Sequence, residues 1–423
     1  MERALLVTIK LDSEKKSWGL DDTAQEMEEL VLSCGAEIVA NISCTREVPT
    51  PNFFIGKGKT EEIAALCLEE AINTVIFSHD LSGTQQRNLE KIIDRKTIDR
   101  TQLILDIFAR HAKSLEGKMQ VELAQLRYLL PRLVGKGVIL SRLGGGIGTR
   151  GPGEQKLEVD RRHIRKRIER LQQDLRDVSA HRRLLRKERK EKNIPAVTLV
   201  GYTNAGKSTL LNTLTGANQV VHDGLFTTLD PLSKAMRLPN GESAVISDTV
   251  GFLHNLPHHL IEAFKATLEE AVEADLLIHV LDVSHPRVYE QAQAVSQVLN
   301  ELGADTVTKI TALNKIDLLN DPGWLSRLSV DFPNTVSISA KLNTNLDALI
   351  GKIQENFLPR MESLEVVIPL SRMDLVNLFY REGKVEEIIY RPDSIFVRVT
   401  MPKIIIPNLL KDGEIKIYQN NIE

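Results

Sequence analysis

Apolar residues in the first hundred positions form short runs that alternate with stretches of helical periodicity. Continuous or alternating apolar runs predict strands, and apolar residues at three- and four-residue spacing predict helices. The predicted strands are Ala4–Ile9, Glu37–Ser43 and Thr74–Phe77, and the predicted helices are Asp21–Leu32, Thr60–Ala71 and Ser82–Ile93. Strands that alternate with helices in this way indicate a parallel sheet. Residues 1–110 are therefore expected to form an N-terminal α/β subdomain.

The pattern then changes to two long helical stretches. Helical periodicity runs over Gln102–Leu133 and over Glu154–Lys192, with a glycine-rich segment, Gly144–Gly153, between them. Two helices joined by a loop indicate a helical hairpin, which we place at residues 111–193.

The second of these helices carries an excess of positive charge. Between Arg161 and Lys192 there are 14 Lys or Arg residues against 5 Asp or Glu, while the whole chain has a formal net charge of -3. A local cationic stripe is typical of proteins that bind a phosphate backbone. A solvated helix would show the same pattern, so both interpretations stay open at this point.

A boundary at Ile194 and Pro195 begins a second α/β pattern, which continues to about Leu358. The last sixty residues differ again. They predict strands at Leu364–Leu370, Val385–Tyr390 and Ile395–Val399, with a helix at Arg372–Tyr380. The sequence therefore predicts a multidomain α/β protein with a third domain at residues 194–360 and a small C-terminal α+β domain at residues 361–423.

Composition says little about binding partners but narrows the cellular compartment. The three cysteines, Cys34, Cys44 and Cys67, form no CxxC pair, and their odd number argues against a disulfide framework. No apolar run approaches the roughly 18 residues needed to span a membrane, and no signal-peptide pattern is present. We expect a soluble, cytoplasmic protein, and a monomer.

The sequence Gly201-Tyr202-Thr203-Asn204-Ala205-Gly206-Lys207-Ser208 fits the P-loop pattern GxxxxGK[ST]. An apolar strand precedes it and a helical segment follows it, as the motif requires. The glycines allow backbone N–H groups to wrap phosphates, and the next helix presents its positive end. Lys207 can reach the β- and γ-phosphates, and the Ser208 hydroxyl can ligate Mg²⁺.

Two later segments predict that the base is guanine. In Asn314-Lys315-Ile316-Asp317, the Asp317 carboxylate can accept both N–H groups of the guanine Watson–Crick edge. Adenine offers no such pair, and the unpaired carboxylate would reject ATP by a factor of about 10⁴. Ser339-Ala340-Lys341 follows another predicted strand and would complete the base pocket.

Two segments between these motifs can respond to the γ-phosphate. Asp248-Thr249-Val250-Gly251 follows a strand, so Asp248 can hold Mg²⁺ through a water while the Gly251 N–H contacts the γ-phosphate. Thr228, in the stretch Phe226–Asp230, is the candidate to close on Mg²⁺ in the GTP state.

One position departs from the usual GTPase pattern. Phe252 follows the DxxG segment where Ras-like enzymes have a Gln that orients the attacking water. A phenyl ring cannot do so, and hydrolysis by the chain alone is expected to be slow. Asn204 resembles the potassium ligand of potassium-activated GTPases, in which K⁺ supplies positive charge beside the phosphates. Its alternative role is that of a turn residue.

These motifs give a complete set of candidate residues. The candidate catalytic residues are Asn204, Lys207, Thr228 and Gly251, and the metal ligands are Ser208 and Thr228, with Asp248 acting through water. The candidate nucleotide contacts are Gly201, Tyr202, Thr203, Asn204, Ala205, Gly206, Lys207, Ser208, Thr209, Phe226, Thr227, Thr228, Leu229, Asp230, Asp248, Thr249, Val250, Gly251, Asn314, Lys315, Ile316, Asp317, Ser339, Ala340 and Lys341. The implied cofactors are Mg²⁺ and K⁺, with GTP or GDP as the ligand.

Segments inside and outside the nucleotide motifs resemble the HflX family of GTPases. The likeness covers nearly the whole chain and is weakest in the last sixty residues. It is carried by Phe53–Lys59, Arg87–Glu90, Gly151–Arg162, Leu225–Asp230 and Asp248–Phe252.

The resemblance implies a GTPase that binds the large ribosomal subunit and separates stalled 70S ribosomes, often under stress. It also implies that the hairpin and its loop contact ribosomal RNA. Some relatives with altered loops confer antibiotic resistance. The alternative is a GTPase of ribosome assembly or RNA modification. A metabolic P-loop kinase is a third possibility, which Asn314–Asp317 and Ser339–Lys341 argue against.

Overall fold

The computed structural model describes residues 2–14, 18–133, 152–192, 194–216, 225–226, 232–254, 257, 260, 268–319, 321–403, 405–410 and 416–418. The chain forms two compact units. The first consists of residues 1–180 with 222–230 and 256–265, and the second of residues 181–221, 231–255 and 266–423. Within the described residues, no helix is both long enough and apolar enough to cross a membrane.

The first unit contains a four-stranded parallel sheet in the order β2-β1-β3-β4. Its strands are β1 (Arg3–Leu11), β2 (Glu37–Arg46), β3 (Thr74–Phe77) and β4 (Lys96–Ile98), and its helices are α1 (Leu20–Ser33), α2 (Lys57–Glu69), α3 (Gly83–Ile93) and α4 (Arg100–His111). Strand residues such as Leu5, Val7 and Phe77 form one core with Ile63 of α2 and Leu89 of α3. The central strands β1 and β3 are buried on both faces, which explains their nearly continuous apolar runs.

The long helix predicted over Gln102–Leu133 is two helices in the structure. The first is α4, and the second is α5 (Leu115–Arg132). The break lies at Ser114, whose Oγ accepts the Gly117 N–H at 2.8 Å and caps α5. A cap of this kind begins a new helix even where the apolar periodicity continues.

Helix α6 (Pro152–Glu191) has 40 residues and agrees with the second predicted helix of the hairpin. Arg167 in α6 forms a bidentate ion pair with Glu122 in α5, at 2.7 Å for each bond. Nearer its end, Arg186 pairs with Glu269 and Glu270, and Lys190 pairs with Glu273. Part of the cationic stripe is therefore neutralised by carboxylates of the same chain. The loop between the hairpin helices, residues 134–151, lies outside the described residues.

The second unit contains a six-stranded sheet in the order β10-β9-β8-β5-β7-β6, parallel except for β6. The strands are β5 (Ala196–Gly201), β6 (Leu232–Arg237), β7 (Ser243–Asp248), β8 (Leu276–Asp282), β9 (Lys309–Asn314) and β10 (Thr335–Ser337). The helices are α7 (Lys207–Thr215), α8 (Val288–Leu302), α9 (Pro322–Asp331) and α10 (Leu346–Phe357). The carboxyl ends of β5, β7, β8 and β9 meet at one edge, where ligands bind in open α/β sheets.

The C-terminal part of the second unit is an antiparallel sheet in the order β12-β13-β11-β14. Its elements are β11 (Met361–Pro369), α11 (Met373–Glu382), β12 (Lys384–Tyr390), β13 (Ser394–Pro402), α12 (Ile406–Leu410) and β14 (Lys416–Tyr418). The sequence predicted the first four elements and missed α12 and β14, which are short. The multidomain α/β architecture predicted from the sequence is confirmed.

Candidate nucleotide-binding site

The P-loop connects β5 to α7 through backbone conformations that favour glycine. Gly206 has a φ of +95° at the start of α7, and a Cβ at this position would overlap the side-chain amide of Asn314. Asn204 also adopts a left-handed conformation, with a φ of +60°, and is exposed. Asn tolerates this region better than most residues, so the turn interpretation of Asn204 has a physical basis.

Lys207 is buried at the centre of the site. Its Nζ donates to the carbonyl oxygens of Gly201 at 3.1 Å and Tyr202 at 2.8 Å. Burial lowers the pKa of Lys207 to about 8, although the nearby Asp248 carboxylate opposes that shift. A bound phosphate would place negative charge beside Lys207 and stabilise its charged ammonium form. The site therefore favours an anionic ligand.

Ser208 and Asp248 bring two hard oxygen ligands together. The Ser208 Oγ donates to Asp248 Oδ2 at 2.5 Å, and Asp248 is fully buried at the end of β7. The next residue, Thr249, donates from Oγ1 to the Leu199 carbonyl at 2.7 Å and fixes the chain there. Hydroxyl and carboxylate oxygens are the donors that Mg²⁺ prefers, so the residues present fit a magnesium ion.

The segment after Asp248 runs along the P-loop. The Phe252 N–H donates to the Gly201 carbonyl at 3.2 Å, and the Thr203 N–H donates to the Phe252 carbonyl at 2.8 Å. The His254 N–H donates to the Tyr202 hydroxyl at 2.8 Å. Phe252 is 3% exposed, so its ring is buried rather than turned toward a water.

Hydrogen bonds connect Asn314 and Asp317 to the Ser339–Lys341 loop, and these are the residues that the sequence predicts to bind the base. Asn314 Nδ2 donates to the Ala205 carbonyl at 2.8 Å, and its Oδ1 accepts the Ala340 N–H at 3.0 Å. The Ser339 hydroxyl donates to Asp317 Oδ1 at 2.6 Å. These bonds orient the Asp317 carboxylate that we assign to guanine.

The sequence did not reveal the partner of Lys315. The Lys315 ammonium forms an ion pair with Asp282 Oδ2 at 2.7 Å, and Lys315 adopts a left-handed φ of +68°. Asp282 ends β8, the strand next to β9, and its position at a carboxyl strand end was the signal that could have identified it.

Phe226 makes its contacts in the first unit. Its ring meets that of Phe108 in α4 edge-to-face, with centroids 4.4 Å apart, and it is 2% exposed. The preceding Leu225 N–H donates to Ser33 Oγ in α1 at 3.1 Å. The structure shows a packing role for the Phe226 ring, and its predicted contact with the nucleotide stays a prediction. Thr227, Thr228, Leu229 and Asp230 lie outside the described residues.

Comparison with known proteins identifies the family of the chain. Family models match residues 21–109 ("GTP-binding GTPase N-terminal"), 111–189 ("GTP-binding GTPase Middle Region") and 196–315 ("50S ribosome-binding GTPase"). GTPase HflX of Caldanaerobacter subterraneus subsp. tengcongensis is 47% identical over 91% of this chain and 88% of that protein. The chain belongs to the HflX family. GTPase HflX of Escherichia coli K12 is 42% identical over 95% of this chain and 94% of its own length.

Membership of the HflX family establishes the ligand and the reaction. The chain binds GTP and GDP and hydrolyses GTP, as predicted from Gly201–Lys341. A solved GTP-binding protein from Sulfolobus solfataricus, in complex with GDP, matches with a TM-score of 0.44 and 27% identity. That match covers 84% of this chain and 98% of the other chain.

Proposed function

We propose that this HflX-family GTPase binds the large ribosomal subunit and dissociates 70S ribosomes in a GTP-dependent manner, acting in the cytoplasm. Two findings support the proposal. The family model over residues 196–315 is described as a 50S ribosome-binding GTPase. In addition, α6 presents a run of exposed cations to solvent, and this is the observation that carries the proposal on the chain itself.

One group of exposed cations lies in the first half of α6, away from the ion pairs of Arg186 and Lys190. Arg162, Arg165 and Lys166 are exposed and sit within two turns of each other. Exposed Arg and Lys side chains on one helix suit ribosomal RNA, which proteins recognise largely through shape and phosphate contacts. Such binding releases counterions, so its affinity falls steeply with salt concentration.

We propose that the nucleotide binds with its phosphates on the P-loop and its guanine on Asp317. Magnesium would be held by the hydroxyls of Ser208 and Thr228, with Asp248 acting through a water. The Ser208 hydroxyl could ligate the ion through an oxygen lone pair while it still donates its proton to Asp248 Oδ2. The γ-phosphate would then order the loops around Thr228 and Gly251 and favour the ribosome-bound state, and hydrolysis would release the protein from the ribosome.

Hydrolysis itself is proposed to depend on Asn204, Lys207, Thr228 and Gly251. Lys207 and Gly251 would contact the γ-phosphate, and Asn204 would hold a potassium ion beside it. Because Phe252 is buried, the position that carries Gln in Ras-like enzymes supplies no group to orient water. Turnover is therefore expected to be slow for the chain alone and faster on the large subunit.

The splitting activity can be tested by density-gradient centrifugation of 70S ribosomes with the full chain. With GTP or a nonhydrolysable analogue we expect free 50S and 30S subunits, and with GDP intact 70S particles. Intact 70S particles at saturating protein with GTP would remove the splitting role.

The role of α6 is tested by charge reversal. Arg162→Glu, Arg165→Glu and Lys166→Glu together should weaken 50S binding by about tenfold or more and flatten its salt dependence. A matched variant reverses three exposed cations of the C-terminal domain, Arg381, Lys384 and Lys403. Equal losses of 50S affinity in the two variants would show that the cations of α6 make no specific contribution to ribosome binding.

A further inference from the structure

The hydroxyl of Tyr202 has a position in the site that the motif pattern does not explain. The P-loop pattern leaves its second residue unspecified, yet Tyr202 is 4% exposed and its hydroxyl accepts the His254 N–H at 2.8 Å. A tyrosine ring has two rotatable bonds, so a buried ring places its hydroxyl with little freedom. Tyr202 thus offers a fixed acceptor to the segment that follows the DxxG motif.

This side-chain bond completes a set of three. The other two join Phe252 to the backbone of Gly201 and of Thr203, in a short bridge beside the end of β5. Residues 252 and 254 are therefore attached to the P-loop at both ends of a three-residue stretch. A backbone held at two points is restrained in direction as well as in position.

Gly251 lies immediately before this stretch and against the P-loop. A Cβ built on Gly251 would come within 2.8 Å of Thr203 Cα and within 3.1 Å of Lys207 Nζ. Gly251 is thus close to the lysine that reaches toward the phosphates. Residues 252–254 follow Gly251 directly in the chain, so the direction of this stretch helps to set the direction of the Gly251 backbone.

We propose that Tyr202 is a positioning residue, which acts through Gly251 to aim the Gly251 N–H at the γ-phosphate of GTP. The inference rests on the proposed role of Gly251. It assigns the Tyr202 hydroxyl to discrimination between GTP and GDP, because only GTP carries the phosphate that Gly251 contacts. On this assignment, we expect that binding of the base and of the first two phosphates does not depend on the hydroxyl.

The test compares Tyr202→Phe with the unaltered full chain, using GDP and a nonhydrolysable GTP analogue. The variant keeps the ring and removes one hydrogen bond. We expect the affinity for the analogue, and the kcat for GTP, to fall by between about twofold and tenfold. The affinity for GDP should not change. The matched control is Tyr289→Phe, which removes a hydroxyl that donates to Asp331 at 2.5 Å outside the site and should alter neither affinity nor kcat.

Two results would overturn the inference. Equal weakening of GDP and the analogue would mean that Tyr202 only shapes the P-loop, and unchanged values for both would mean that its hydroxyl positions nothing. Gly251→Ala separates this failure from that of the proposed site. If Gly251→Ala loses discrimination between GTP and GDP and Tyr202→Phe does not, Tyr202 alone is misassigned. If Gly251→Ala retains this discrimination, the proposed role of Gly251 fails as well.

Discussion

The buried Lys207 predicts that nucleotide affinity depends on pH above neutrality. Burial lowers the pKa of Lys207 to about 8, and bound phosphates should restore the charged form by direct attraction. Binding therefore takes up a proton when the free lysine is neutral. The affinity for nucleotide is therefore greatest below pH 8 and falls as pH rises, because the neutral amine must first be protonated.

The magnitude follows from the fraction of free protein with a charged lysine. That fraction is about 0.9 at pH 7 and about 0.1 at pH 9 for a pKa near 8, so affinity for GDP should fall about tenfold over this range. Calorimetric titration in buffers of different ionisation enthalpy should report an uptake of about half a proton per site at pH 8.

Lys207→Arg is the control for this prediction, because a guanidinium stays charged throughout this pH range. The titration of the nucleotide itself is shared by both proteins, so a uniformly lower affinity of Lys207→Arg for GDP does not affect the comparison. The difference between the two proteins in how steeply GDP affinity falls with pH is therefore due to Lys207. A flat affinity from pH 7 to 9 in the unaltered protein, with no proton uptake at pH 8, would refute the reasoning.

Three further outcomes are expected. Asp317→Asn should weaken GTP by about 100-fold or more and favour xanthosine triphosphate, as measured by competition with a fluorescent nucleotide; unchanged GTP affinity would contradict the guanine assignment. Burial lowers the pKa of His279 to about 4, so the unfolded chain gains a proton before the folded one. Stability should then fall by about 2 kcal/mol between pH 7.5 and pH 5, and denaturation of His279→Gln should show less of this loss. Turnover should be several-fold faster in K⁺ than in Na⁺, and Asn204→Ala should abolish the difference; equal rates in both salts would exclude the potassium ion.

Short functional motifs could be predicted well because chemistry fixes their spacing. The P-loop, Asp248 and Asn314–Asp317 each need particular residues at the end of a strand, so both the motif and its neighbouring element could be recognised. The central strands β1 and β3 of the first unit were predicted for a related reason, since strands buried on both faces leave continuous apolar runs.

Features that depend on distant partners could not be predicted in the same way. The neutralisation of Arg186 by Glu269 and Glu270 joins residues more than eighty positions apart. The contact of Phe226 with Phe108 is likewise a tertiary contact, and no local pattern distinguishes a packed phenylalanine from one in a switch loop. The break before α5 had a local signal in Ser114, which the continuing apolar periodicity obscured.

Asn314 joins the two ends of the nucleotide site through one side chain. Its amide contacts the phosphate-binding loop at Ala205 and the base-binding loop at Ala340. A guanine ring orders one loop and a diphosphate orders the other. Because Asn314 connects the loops, binding of one half of the ligand reduces the entropy cost of ordering the protein for the other half. Guanosine and pyrophosphate, offered as separate molecules, should therefore bind with positive cooperativity, with Asn314 as the point at which one half of the nucleotide senses the other.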